Sequence, residues 1–359
     1  MIHFVILWTD AFLYLLVIAT LIAIFCIWRH PYLRAPWKQV FQRTQIKIVF
    51  IFLVCYVAIG LLDSIHFYYK NSMQVYSVLD VIAGPIMHEE KTYSAPFASS
   101  LYNEPEIKLK YRHILGTDKI GNDVLYEDLK SVRTALVIGT LATLFMLPFA
   151  LIFGTMAGFF GGLIDDVIQY IYTVLSSIPG VLLISASVLA LQVFIENHNH
   201  WFPSLLQRAD ARLLALCLIL GITSWTSLCR LLRAETLKIR ELQYVTAAKA
   251  LGVKHFKIIL RHILPNVMHI VIITIILDFS ALVLAEAVLT YVGVGVDPTT
   301  ISWGNMINTA RLELAREPIV WWPLLSAFIF MFALVLSANI FADSVRDAFD
   351  PKLKISFES

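Results

Sequence analysis

Two carboxylates, Asp278 and Glu286, stand inside an otherwise apolar run between residues 267 and 290. An ionisable side chain in lipid is costly and marks a functional position or a bonded one. On a helix they lie two turns apart and face roughly the same way. One reading places both on a polar pathway or at a subunit contact. Another leaves Glu286 hydrated near the outer interface and Asp278 bonded to a neighbouring helix. A third makes them the active site of a membrane-bound enzyme. Other reactive side chains carry less. His88, His113, His198 and His200 are scattered, and the triplet HNH at 198–200 is weak as a metal site. Cys26, Cys55, Cys217 and Cys229 lie in or beside apolar runs, without metal-ligand spacing or a disulfide framework, and read as packing residues. The sequence holds no G-x-x-x-x-G-K-[ST], HExxH or GxSxG motif, each of which would carry a known chemistry. It therefore predicts no catalytic residue and no metal site.

The elements that hold these residues are set by composition. The 359 residues are 58% hydrophobic and 15% charged, with a mean hydropathy of +0.74. A soluble domain carries about 25% charge, so lipid is the expected solvent. A net charge of +2 does not point to nucleic acid as a partner. The first 28 residues lack a basic region before the apolar run and a small-x-small cleavage site, and read as a retained helix. With about 20 apolar residues needed per crossing, the spans fall at 4–28, 46–62, 132–158, 167–194, 211–229, 267–290 and 320–342. Five Lys/Arg and no acid lie between Arg29 and Lys47, and eight basic residues against two glutamates lie in 230–266. The positive-inside rule puts both loops in the cytoplasm, the N-terminus outside, and the C-terminal tail with Arg346, Lys352 and Lys354 inside.

The external segment 63–131 is the least hydrophobic stretch. Pro85, Pro96 and Pro105 argue against one long helix, and Gly116, Gly121 and Asn122 are turn formers. It reads either as a linker lying on the membrane or as a lid or docking surface at the mouth of a pathway. Gly154, Gly158, Gly161 and Gly162 are expected to let helices approach. Pro148 and Pro179 are expected to kink their helices. Asp165 and Asp166 fit a short turn before a helix start.

The long polar interruption of the second half is YVTAAKALGVKHFKIILRHILPN, Tyr244–Asn266. A helix of small residues runs to Gly252, and an amphipathic segment closed by Pro265 follows. At 3.6 residues per turn, Phe256, Ile259, Leu260 and Ile263 share one face and Lys254, Lys257 and Arg261 the opposite one. Such a segment lies on a membrane or offers itself to a partner protein.

YVTAAKALG followed by HILPN resembles the EAA loop of bacterial ATP-binding-cassette (ABC) importer permeases. From about residue 37 onward the chain looks like the C-type permease subunit of the oligopeptide/dipeptide/nickel transporter family. ILGTDKIGNDVL at 114–125, AGFFGGLIDD at 157–166, SIPG at 177–180, LAEAVLTYVGVGVDP at 284–298 and SWGNMI at 302–307 follow in the family's order. The resemblance implies an all-α polytopic membrane protein: a six-helix ABC importer permease core plus one additional N-terminal transmembrane helix. Residues 1–36 would hold that helix and a basic cytoplasmic link, and 37–131 the first core helix and a long periplasmic segment. Residues 132–345 would form the permease domain with its loop at 230–266, and 346–359 a cytoplasmic tail.

The implied function is import of short peptides across the bacterial inner membrane. Implied partners are a homologous second permease, two ABC ATPases, a periplasmic solute-binding protein and the bilayer. The chain would bind no cofactor, ATP being hydrolysed by the partner ATPases. Tyr244, Val245, Thr246, Ala247, Ala248, Ala250, Leu251 and Gly252 would form the ATPase-coupling helix. Three departures stand out. Thr246 occupies the place of the motif's glutamate, Asn122 stands where the family is often basic, and span 4–28 has no counterpart in the six-span core. Alternatives are a permease for nickel or another small solute, an exporter or sensing permease on the same scaffold, and a scaffold whose basic helix 254–264 rides on anionic lipid.

Overall fold

The structure is a computed structural model that describes residues 2–29, 31–69, 75–84, 87–102, 104, 106–202 and 204–349. Pro85, Pro105, Lys352 and Lys354 lie outside the described residues. A short strand β1 (Ile2–Val5) leads into α1 (Trp8–Arg29), α2 (Pro31–Val40) and α3 (Thr44–Asp63). β2 (His66–Tyr69), β3 (Val75–Ser77) and α4 (Val78–Ile82) open the segment 63–131. The second half holds α5 (Val124–Phe160), α6 (Gly162–Ser177), α7 (Gly180–Asn197), α8 (Leu205–Ile239), α9 (Gln243–Ala250) and α10 (His255–Ile258). A π-helical turn at Ile259–Ile263 joins α10 to α11 (Leu264–Tyr291), and α12 (Trp303–Glu313) and α13 (Trp322–Phe349) complete the fold.

Among the described residues, seven helices are long and apolar enough to cross a membrane. The chain is a multi-pass, essentially helical membrane protein. The helical expectation needs one addition: β1, β2 and β3 form a small antiparallel sheet, with Ile2 opposite Tyr69 and Phe67 opposite Tyr76.

The expected span 167–194 is not one helix. α6 stops at Ser177, Ile178 and Pro179 are extended, and Pro179 becomes the N-cap of α7. A proline lacks the N–H that would continue the ladder, so here it breaks the helix rather than kinking it. Pro148, by contrast, lies inside the continuous α5. The Asp165–Asp166 pair lies inside α6, with Asp165 in its first turn, rather than in a turn before the helix.

α5 and α8 are the central pair. A Cβ on Gly158 would come within 2.6 Å of Thr236 Cβ and 2.7 Å of the Arg233 carbonyl, and one on Gly154 within 2.9 Å of the Cys229 carbonyl. These glycines serve close packing as expected. Gly161 and Gly162 do not: with φ of 68° and 53° they make the turn between α5 and α6, and nothing lies within 4 Å of a Cβ on Gly162. Only glycine adopts that backbone without strain.

The described part of the segment 63–131 is folded rather than a lone linker. Asp123 caps α5 through the N–H groups of Leu125 and Tyr126, and its other oxygen meets His113 Nδ1 at 2.7 Å. Trp322 at the start of α13 donates to the Thr117 carbonyl at 3.0 Å and packs edge-on against Tyr93 and Tyr102. The segment is a folded cap bound to the helix ends.

Candidate functional site

The loop between α8 and α11 is built from its glycine backward. Gly252 has φ of 75°. Its N–H bonds the Lys249 carbonyl at 3.0 Å, and the Val253 N–H bonds the Ala248 carbonyl at 3.1 Å. That pair of bonds is a Schellman ending, which needs a left-handed residue at the position of Gly252. α9 thus ends abruptly, and Leu251 projects from its end with 83% exposure.

α9 is fastened underneath by one residue. Val245 is fully buried in an apolar cluster with Phe159, Ile239, Ile258 and Ile263. Around it, Lys249 Nζ sits 4.6 Å above the Phe159 ring, and His255 packs edge-on against Phe159 and Phe160. The Tyr244 hydroxyl accepts from Asn266 Nδ2 at 3.1 Å, tying the start of α9 to α11. Below the loop, Arg233 holds Asp165 with two hydrogen bonds of 2.5 and 2.7 Å, and Arg240 Nη1 donates to the Gly158 carbonyl at 3.1 Å. The Arg233 hydrogen bonds hold the Asp165 carboxyl below the usual carboxylate range.

The remaining loop residues face outward. Thr246, Ala247 and Ala250 are exposed and Ala248 half-buried. Thr246 Oγ1 donates to the Gln243 carbonyl at 2.9 Å, inside its own helix, so the residue in the glutamate position is occupied locally. The structure therefore brings Tyr244 through Gly252 together as one short helix with a buried keel and an outer face.

The amphipathic segment differs from expectation. Phe256 and Leu260 are exposed at 72% and 48%, while Ile258 and Ile263 are fully buried. The cause is the π turn, whose i→i+5 bonding places residues five apart on one side, so a 3.6 period assigns the wrong face. Nor does Pro265 close the segment. It lies in the first turn of α11, where a missing N–H is tolerated, and the sixth span begins at His255 rather than 267.

Asp278 and Glu286 are not brought together. At 3.6 residues per turn, eight positions leave them about 80° apart, and their surroundings diverge. Glu286 is buried, and its Oε1 accepts from Thr290 Oγ1 at 2.8 Å and Ser302 Oγ at 3.0 Å. Ser302 also caps α12 through the Asn305 N–H. Glu286 is thus not hydrated at an interface. Asp278 is half-buried with no hydrogen-bond or ion-pair partner among the described residues, so it is not bonded to a neighbouring helix. Sequence reasoning missed Asp10, Arg133 and Asp210, which are buried together. Only their place at the ends of apolar runs marked them.

Residues 150–355 match the model of the family described as binding-protein-dependent transport system inner membrane component. The chain is 27% identical over 331 residues to the dipeptide transport system permease protein DppC of Lactococcus lactis subsp. cremoris, covering 88% of this chain and 89% of the relative. It is 31% identical over 242 residues to the DppC of Bacillus subtilis, covering 67% and 69%. It is also 29% identical over 242 residues to the oligopeptide transport system permease protein OppC of Bacillus subtilis, covering 67% and 72%. With the matched region running from α5 to the end of α13 and containing the whole α9 loop, the chain belongs to the family of binding-protein-dependent transport system inner membrane components.

Proposed function

We propose that this chain is a permease subunit of an ABC importer of short peptides in the bacterial inner membrane. Its N-terminus lies in the periplasm and its C-terminus in the cytoplasm. It carries no catalytic chemistry of its own. Two partner ATPases bind and hydrolyse ATP, a homologous permease completes the pathway, and a periplasmic binding protein delivers the peptide. The names of its relatives support the peptide reading. The observation that carries the mechanism is α9, a helix with small outward residues, an apolar tip at Leu251 and a keel at Val245.

Small side chains let a helix seat deeply in a partner with little side-chain entropy to lose. A displacement of α9 by an ATPase reaches the spans by three routes: Val245 into the α5–α8 core, Tyr244 to Asn266 on α11, and Lys249 onto Phe159. Pushing on α9 therefore moves the cytoplasmic ends of α5, α8 and α11 together. Asp278, half-buried and without a partner among the described residues, is assigned to the pathway or the contact with the second permease. Glu286 is assigned to the seat of α12.

The test is the transporter reconstituted with its ATPases and binding protein in liposomes. Gly252→Val forces a β-branched residue into a left-handed backbone and removes the Schellman ending. Uptake of a labelled dipeptide is expected to fall at least tenfold, with the chain still present in the membrane at normal amount. Undiminished uptake would overturn the coupling role of α9. A wild-type complex that takes up nickel but no di- or tripeptide would overturn the substrate.

A further inference from the structure

A buried polar cluster fastens the additional N-terminal element to the core, and the coupling geometry uses none of it. Asp10 on α1 is fully buried. Its Oδ1 accepts from Arg133 Nε at 3.1 Å and Nη2 at 2.5 Å, and its Oδ2 meets His66 Nδ1 at 2.9 Å. Arg133 lies on α5 and is itself buried, and its Nη2 also donates to Thr9 Oγ1 at 3.2 Å. Asp210 on α8 completes the cluster. It accepts the backbone N–H of Trp8 at 2.9 Å and of Thr9 at 3.4 Å, and also the Thr9 hydroxyl.

The two N–H groups belong to the first turn of α1, where no intrahelical acceptor exists. A carboxylate some 200 positions away therefore caps this helix, and its charge opposes the positive end of the helix dipole. The cluster continues through Lys130, whose Nζ lies 2.8 Å from Asp80 and 3.8 Å from Asp63. Beside it runs a cavity of about 340 Å³ bounded by Leu7, His66, Lys130, Arg133 and Thr299 among others. A helix that only anchored the chain in lipid would need the exposed face of α1, with Leu15, Ile18, Leu21 and Phe25, and nothing more.

Without α1, Arg133 loses Asp10, the carboxylate to which it donates, and Asp210 loses its three donors in Trp8 and Thr9. A buried charge stripped of its partner is strongly destabilising, whereas replacing both members of a pair by apolar side chains is often neutral. We infer that Arg133 and Asp210 form a socket built for the N-terminal segment, which makes α1 a working part of the permease body that moves with α5 and α8. This inference stands apart from the assigned substrate and from the role of α9.

The test uses the full chain in detergent, with thermal unfolding followed by light scattering and size-exclusion elution. Asp10→Leu and Arg133→Met are each expected to lower the unfolding temperature by on the order of 5–10 °C. The double variant is expected to recover much of that loss, because the hydrogen-bonded pair is then removed as a unit. Asp210→Asn keeps an acceptor oxygen and should cost less than Asp210→Leu. If a single variant fails to accumulate, recovery of a monodisperse protein in the double variant supports the socket. A double variant that is equally lost overturns it, as does a melting temperature unmoved by Asp10→Leu or losses that simply add.

Discussion

Glu286 and Asp278 share a helix, yet their environments assign them different work. Glu286 offers one oxygen to two hydroxyls, and Ser302, one of the two, also starts α12. An amide oxygen accepts equally well, so Glu286→Gln should leave both melting temperature and peptide uptake close to wild type. Glu286→Leu strands two buried hydroxyls and should cost about 1–3 kcal/mol of stability. Loss of uptake in the Gln variant would instead give Glu286 a charge-dependent role. Asp278→Asn, with no bond to break, should leave the melting temperature unchanged and show itself only in uptake. That two acids stand in an apolar run is legible in the sequence, because charge there is conspicuous. Their separation was not, since partners such as Ser302 come from another element.

Asp165 adds a pH dependence of definite sign. Its folded-state carboxyl lies below the ordinary value of 3.8 because Arg233 donates to it. The bond therefore stabilises the protein at all pH values above that ordinary value and is lost as pH falls through the folded one. Asp165→Asn should melt below wild type at pH 7, by an amount equivalent to about 1 kcal/mol or less for a part-exposed pair. The gap should close as pH falls from the ordinary value of 3.8 through the lower folded-state one. A gap that widened on acidification would contradict the pairing.

At the scale of elements, apolar content located the spans but not their interruptions. The extended link at Ile178–Pro179 and the π turn at Ile259–Ile263 both lie inside runs that satisfy a hydropathy window. A 3.6-residue period cannot reveal a turn bonded i→i+5, which is why that period assigns Phe256 and Leu260 to the wrong face. The stop at Gly252 was legible, because a left-handed helix end has a residue preference of its own. The π turn sets the angle at which α9 meets α11. Deleting Leu260, which is exposed within that turn, would restore an α-helical count and rotate α10 by about 100° against α11. Ile258 would leave the core and Tyr244 would lose Asn266. Uptake in liposomes should then fall at least tenfold with normal membrane accumulation, and unchanged uptake would show that α9 tolerates any angle.

At the scale of the whole molecule, the sheet and the seven candidate spans together bear on the proposed orientation. β1 pairs with β2 at the end of α3, so the N-terminal strand and the cap share one face of the membrane. From there α1 crosses once, the α2 region follows, and α3 returns. Continuing through seven spans brings α9 to the face opposite the cap. The basic residues of 29–47 and 230–266 both fall on α9's side, which in the proposed orientation is the cytoplasmic one. The sheet was hidden, because a four-residue strand has no periodicity to read. Phe4, Phe97 and Leu251 are exposed at 73%, 70% and 83%, which makes them reporters. With Cys26 and Cys55 replaced by alanine, Phe4→Cys and Phe97→Cys should react with a membrane-impermeant maleimide in spheroplasts. Leu251→Cys should react only after permeabilisation. Labelling of Phe4→Cys from the cytoplasmic side would separate β1 from β2 and remove α1 from the membrane count. Since β1 runs straight into the turn of α1 that carries Thr9 and Asp10, the same result would dismantle the socket as well.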